Sequence, residues 1–519
     1  MRKVLISIVI PVLAVIITAV TFVIYNTWDR HRGYLVDLDI KAPPEGRVLA
    51  GFAAMKITPE ITDTWTDVKG NSRFMPEEGD TFKDITGSGN FDAVWLAGFS
   101  NRKAAKGVHD DLWARAMVLD DGQTRMAWVA LDAIGLFGCD VIDIRKSIPG
   151  DLGIDYAIIS SSHTHSAPDL LGMWGSSRIR SGVDPGYMDL VKRQSLAAIE
   201  TAVQGLRPAK FRFAVDKENA APMIRDTREP EVINPELRIM QVMDLECGTT
   251  LGTLVQWDNH PETVWSRNLM VTSDFPHYLR EGIENGIWKG DSLITPGLGG
   301  IAMHVTGNIG GLMTTSPAVG IECSLTDTVY FEPSFDKVRA QGLSLAQMTI
   351  TALNSSGIVE IETGSIELRA RTVILPVDNR QFRLGAAIGL FSRGLTGWMR
   401  FRSEIAFWKF GPASFLHHPG ELYPEIADGG IEAPDGQDFN TGPQEIPPLR
   451  EIMPGHFKFI TGLSNDMIGY IIPESQWDAE PPYTYGNERS PYGEINSLGP
   501  RTAPILHSEM KRLIEAGKH

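Results

Sequence analysis

The sequence predicts an α/β fold of mixed sheets with flanking helices, preceded by one transmembrane helix. Three observations carry that expectation. Short β-rich runs alternate with helical stretches along most of the chain. The 519 residues are 43% hydrophobic and 22% charged, an ordinary globular balance with enough apolar mass for a large core. One uncharged, apolar run from Val4 to Tyr25 stands at the N-terminus behind Arg2 and Lys3.

The N-terminal run is long enough to cross a bilayer core of about 30 Å as a helix. A cleaved signal peptide has a shorter apolar core and ends in a small-x-small site. Phe22-Val-Ile-Tyr25 occupies that place here, so residues 1–25 read as an uncleaved signal-anchor. Arg30 and Arg32 follow the run as Arg2 and Lys3 precede it. The expected arrangement is single-pass, with the folded domain outside the cytoplasm, periplasmic or extracellular. Residues 26–47, ending in Ala42-Pro-Pro-Glu-Gly46, read as a linker. Residues 48–519 form the domain, with a possible C-terminal subdomain from about 360.

Within that domain Met126 to Leu131, Lys210 to Phe213, Leu237 to Met243 and Thr250 to Trp257 read as strands. Asp184 to Gly205 carries a helical pattern, with Asp184-Pro185 as cap and first turn. Phe275 to Ile287 reads as a helix behind Ser273-Asp274. Two long loops, Thr62 to Phe91 and about Asp428 to Pro448, are of a length that compact domains reserve for function or disorder.

Formal net charge is -16. That surface repels phosphate backbones, and no basic cluster offsets it, so no nucleic-acid partner is expected. Cys139, Cys247 and Cys323 lie far apart with no CxxC pair, which excludes a disulfide scaffold and a cysteine zinc site.

Three segments share one pattern, an apolar strand that runs into histidine and then proline. They are Tyr156-Ala-Ile-Ile-Ser-Ser-Ser-His163-Thr-His165-Ser-Ala-Pro168, Leu254-Val-Gln-Trp-Asp-Asn-His260-Pro261 and Ala413-Ser-Phe-Leu-His417-His418-Pro419-Gly-Glu421. Ligands bind at the carboxyl ends of strands in α/β sheets. His163 and His165 share a face if the chain is extended, and two imidazoles near a third suit Zn2+. A lone histidine before proline is more often a loop or core residue than a ligand. Only convergence of the segments would make them a site.

Gly107-Val-His109-Asp-Asp-Leu-Trp-Ala-Arg115-Ala, Val129-Ala-Leu-Asp132 and Ser161-Ser-His163-Thr-His165-Ser-Ala-Pro168 together resemble the N-terminal signature of the neutral/alkaline ceramidase-like family. The resemblance continues through Ala53-Ala-Met-Lys-Ile-Thr-Pro59, His260-Pro261, Thr272-Ser-Asp274, Pro419-Gly-Glu421, Leu463-Ser-Asn-Asp-Met-Ile-Gly-Tyr470 and Tyr492-Gly-Glu-Ile-Asn-Ser-Leu-Gly-Pro500. It implies a ceramidase-like catalytic domain that hydrolyses a small-molecule or lipid amide. It implies Zn2+ held by His163, His260, Glu421 and Tyr470, with His165, Arg225 and Tyr492 around the scissile bond. His109 and Asp132 fit the family motif without a chemical role of their own.

Two departures stand out. The family's Gly-Asp-x-Ser-Pro stretch matches Asn308-Ile-Gly310-Gly311-Leu312-Met313-Thr314, so aspartate and serine are both missing and activated water replaces a serine nucleophile in the expected mechanism. The family's C-terminal β-sandwich domain has no counterpart after Pro500. Both leave other readings open. One is a zinc hydrolase of another amide, a peptide or an ester. The other is a catalytically inactive, membrane-tethered binding protein.

Overall fold

The computed structural model describes residues 2–315, 317–391 and 393–516. The N-terminal run is helical over Arg2–Thr27. Its window Ile10–Thr27 has a mean hydropathy of 2.0 and none of it is buried, so it is long and apolar enough to cross a membrane.

Among the described residues two sheets dominate. The larger has nine strands. Its main path runs Ile301–Thr306, Thr250–Trp257, Leu237–Asp244, Arg207–Asp216, Leu49–Lys56, Trp113–Asp120, Arg125–Leu131 and Tyr156–Ser161. The pairs at its two ends are parallel and the rest of that path is antiparallel. The smaller sheet orders Asp37–Ile40, Ile366–Pro376, Arg400–Phe410, Ala413–His417 and Phe457–Thr461. The mixed α/β expectation therefore holds. Within the segment read as a linker, Asp37–Ile40 is an edge strand of the smaller sheet.

The sheets share one core. Trp128 of the larger sheet packs edge-on to Trp408 of the smaller at 6.4 Å between ring centroids, and Phe211 to Phe410 at 4.5 Å. These rings exclude water from the interface between layers, the dominant stabilising term of a fold of this kind. Helices Pro185–Gln204 and Phe275–Asn285 flank the larger sheet, close to their expected bounds. Asp184 caps the first by accepting from the Tyr187 amide, and Asp274 caps the second by accepting from the Phe275 amide.

The larger sheet curls. Thr306, at the end of one edge strand, donates its hydroxyl at 2.7 Å to the Ser162 carbonyl, just past the opposite edge strand. Strand ends that lie far apart in the sheet order are thereby brought together in space.

Candidate metal centre and its pocket

The curl brings His163 and His260 together. His163 follows Tyr156–Ser161 by two residues and adopts φ 68, a left-handed turn that aims its ring back across the strand end. Its amide is held by the Ala133 carbonyl at 2.8 Å. His260 follows Thr250–Trp257, and its amide donates to the Met313 carbonyl at 3.0 Å. The ring centroids are 5.0 Å apart.

Backbone carbonyls fix both imidazole tautomers. Nδ1 of His163 lies 2.6 Å from the Ile134 carbonyl, and Nδ1 of His260 lies 2.6 Å from the Met313 carbonyl. A carbonyl only accepts, so each Nδ1 carries a proton and each neutral ring turns an Nε2 lone pair inward. Both lone pairs converge on Glu421 Oε2, at 3.6 Å from His163 and 3.2 Å from His260. Acceptor facing acceptor in a buried site calls for a cation or a proton between them. The Gly310-Gly311-Leu312-Met313 stretch thus contributes a backbone acceptor in place of a side chain.

The oxygen donors come from loops of the smaller sheet. Glu421 and Tyr470 are register partners in a short parallel pairing of Glu421–Leu422 with Tyr470–Ile471, and the Tyr470 hydroxyl hydrogen-bonds the carboxylate. Burial works against ionisation of Glu421, yet a positive charge shared with the two imidazoles, together with the Tyr470 hydrogen bond, holds its carboxyl below the usual range. Burial pushes the His163 imidazole down to about 4, which keeps it neutral and free to donate its lone pair. Two imidazole nitrogens, a carboxylate and a phenol form a donor set that suits Zn2+ and tolerates other divalent ions.

His165 joins the same cluster. The ligand atoms of His163, His165 and His260 all lie within 4.8 Å of one another. His165 Nδ1 is 3.1 Å from Glu262 Oε2, at an angle that makes no hydrogen bond, and both ring nitrogens are buried without a hydrogen-bond partner. Sequence reasoning passed over Glu262, although it stands two residues after His260. Burial pushes its carboxyl up to about 7.

His163, His165, Glu421 and Tyr470 line one side of a partly open pocket. His163, His165, Arg393, Glu421, Tyr470, Tyr492 and Asn496 are among its polar groups, and Phe137, Leu171, Phe382, Phe391, Phe401 and Leu498 are among its apolar walls. Tyr492 stands at the pocket's open side, 57% exposed and with its ring 6.0 Å from Tyr470. Arg225 is not among the lining residues. Its guanidinium lies in solvent, 3.8 Å from Glu231. The third strand-end pair is also outside the lining. Nε2 of His417 accepts from the Trp408 indole at 3.0 Å, and His418 is fully buried. His109 stacks on Phe335 at 3.6 Å, and Asp132 pairs with Arg280, both away from the pocket lining.

No family model matches the chain. Solved structures do. The neutral ceramidase from Pseudomonas aeruginosa superposes with a TM-score of 0.61 at 14% identity, covering 91% of this chain and 74% of that one. A ceramidase complexed with C2 gives 0.60 at 14% identity, covering 91% and 75%. The fold is that of the neutral ceramidase structures.

Proposed function

We propose that the chain is a metal-dependent amidohydrolase acting on an N-acyl amphiphile, anchored to a membrane by its N-terminal helix. The observation that carries this reading is the junction of a buried histidine–carboxylate cluster with an apolar, largely aromatic pocket. The first places a scissile amide and the second takes an acyl chain.

His163, His260, Glu421 and Tyr470 would hold the ion, Zn2+ first among the candidates. A divalent cation there supplies Lewis acidity toward the carbonyl and lowers the pKa of water. The chain's own residues do the rest. His165, whose ring nitrogens are free of hydrogen bonds, takes a proton from the attacking water and hands it to the departing amine. Tyr492 donates its hydroxyl to the developing oxyanion from the open side. Arg225, on the strand paired through Thr314, takes the polar end of the substrate after releasing Glu231. Phe137, Phe382, Phe391 and Phe401 hold the acyl chain and exclude water. With Gly310-Gly311-Leu312-Met313 where the family has serine, water is the nucleophile and no acyl-enzyme forms.

The test is metal analysis of the purified full chain, beside hydrolysis of N-acylsphingosine and of short N-acyl amides. The expected result is one divalent equivalent, lost together with activity in His260→Ala, and preference for the long-chain substrate. Turnover that survives metal removal would overturn the reading, as would an acyl-enzyme trapped with a slow substrate.

A further inference from the structure

The pocket and the N-terminal helix meet at one residue. Phe391 lines the pocket, and it also lines a shallow open depression formed by Ile24, Tyr25, Trp28 and Gly389 among others. The last turn of the helix is fastened to this wall. Asn26 Nδ2 donates to the Ala387 carbonyl at 3.1 Å, the Leu395 amide donates to the Thr27 carbonyl at 2.9 Å, and Asp29 pairs with Arg402.

That attachment fixes a depth. The 22 residues of the apolar run Val4–Tyr25 at 1.5 Å each span about 33 Å, close to the hydrocarbon thickness of a bilayer. Thr27 and Trp28 therefore lie at its edge, and so does whatever is fastened to them. What is fastened to them is apolar and uncovered. Trp398, in the turn between Leu395 and Arg400, is 85% exposed, Leu384 on the helix Arg380–Ala387 is 62% exposed, and Trp28 is 59% exposed. Arg30 and Arg32 follow Trp28 in the chain, Arg380 opens the helix of Leu384 and Arg400 follows Trp398, all four exposed on a chain whose net charge is -16. Indole rings and leucine ringed by arginine match the headgroup layer, where aromatic rings settle and guanidinium groups meet lipid phosphate.

We propose that the face built from Leu384, Trp398 and Trp28 lies in the headgroup layer of the membrane that holds the N-terminal helix, so that substrate enters the pocket from the leaflet past Phe391. The entry route rests on the amidohydrolase reading above, whereas the docking of the face does not. Phe382 and Phe391, 5.6 Å apart between centroids, are the rings between the leaflet and the pocket. An acyl chain using this route passes from lipid to aromatic wall without crossing bulk water.

The full chain in phosphatidylcholine vesicles tests the docking without any turnover. An environment-sensitive fluorophore is attached through Leu384→Cys, Trp398→Cys, Val15→Cys or Leu293→Cys in a Cys247→Ser/Cys323→Ser background. Quenching by phosphatidylcholine bearing a headgroup nitroxide is expected to be several-fold stronger at 384 and 398 than at 293, on a hairpin remote from the helix. The label at 15 should respond to a mid-chain nitroxide. Quenching at 384 and 398 no stronger than at 293 would overturn the docking while leaving the hydrolase reading intact. A label at 15 that stays in water would overturn it as well. For the route, Leu384→Asp/Trp398→Asp should lower turnover of vesicle-embedded N-acylsphingosine by about tenfold and spare a soluble short-chain amide. Equal losses on both substrates would remove it.

Discussion

Glu421 lies directly opposite Tyr470 in a short parallel pairing, and that pairing ties together two loops of the smaller sheet. The strands that feed the loops, Ala413–His417 and Phe457–Thr461, are themselves parallel neighbours. Two chain segments leaving a sheet side by side in the same direction reach the same height. The oxygen donors therefore arrive together, under imidazoles delivered by the other sheet. The cluster is assembled across the interface between layers, and anything that binds it also clamps the layers.

Metal binding should accordingly stabilise the fold. A ligand at a hundred times its Kd, binding only the native state, adds about 2.7 kcal/mol. Thermal unfolding of the full chain with and without excess Zn2+ should show a clear rise in Tm that vanishes in His163→Ala/His260→Ala. A rise of equal size in that double variant would mean that the ion binds elsewhere.

His165 depends on a glycine. Gly98 has φ +116, and a Cβ built there would sit 2.8 Å from His165 Cβ. Gly98→Ala must move the imidazole or the loop, while leaving His163, His260 and Glu421 untouched. A catalytic group misplaced by about 1 Å costs on the order of 10²-fold in rate. The expected outcome is a fall in kcat of that order with metal stoichiometry unchanged. Full kcat in a folded Gly98→Ala protein would remove His165 from proton transfer.

Much of this architecture was legible in the residues. Thr250–Trp257 has its expected bounds, and Asp184 and Asp274 cap the helices they were expected to begin, because period and capping are local signals. His163 and His260 were legible as strand-end histidines, since strand ends are where side chains are free to gather. His417 and His418 carry the same local pattern yet lie outside the pocket lining, and only the sheet order separates the cases. Arg225 matches a short motif that says nothing of where its guanidinium stands, which is in solvent outside the pocket lining. The pocket walls at Phe137, Leu171, Phe382 and Phe391 gave no signal, because an apolar residue lining a cavity has the same sequence signature as one in a core. The edge strand Asp37–Ile40 was hidden for a related reason. Its partner at Arg371 to Leu368 is remote in sequence.

A pH dependence of stability follows from Asp226. Burial raises its carboxyl to about 8, against hydrogen bonds from the Arg228 and Val232 amides that favour the charged form. The unfolded chain releases this proton near the ordinary carboxylate value. Between that value and about 8 the folded state binds more protons, so this group makes stability fall as pH rises. Asp226→Asn cannot ionise and keeps an acceptor. Its Tm should match the parent near pH 4 and exceed it near pH 8. Parallel Tm profiles for the two proteins would contradict the assignment.

The resemblance left Asp132 without a task, and the structure gives it one. Its carboxylate accepts from Arg280 Nη1 at 2.7 Å and Nη2 at 2.9 Å, and from the Trp113 amide at 2.9 Å. Both side chains are buried, and Arg280 Nη2 also donates to Ser273 Oγ at 2.9 Å. The pair ties the strand end at Leu131 to the helix Phe275–Asn285, behind the loop that carries the Ala133 and Ile134 carbonyls used by His163. Asp132→Ala leaves a guanidinium buried without its counter-ion, which costs about 3–5 kcal/mol. Replacing both partners by apolar groups of similar volume, Asp132→Leu/Arg280→Met, should recover most of that loss, because the penalty belongs to the unpaired charge. Urea unfolding of the three proteins measures this, and metal stoichiometry in the double variant separates support of the fold from support of the site. A cost below about 1 kcal/mol for Asp132→Ala would show that water reaches Arg280, and the pair would lose its structural role.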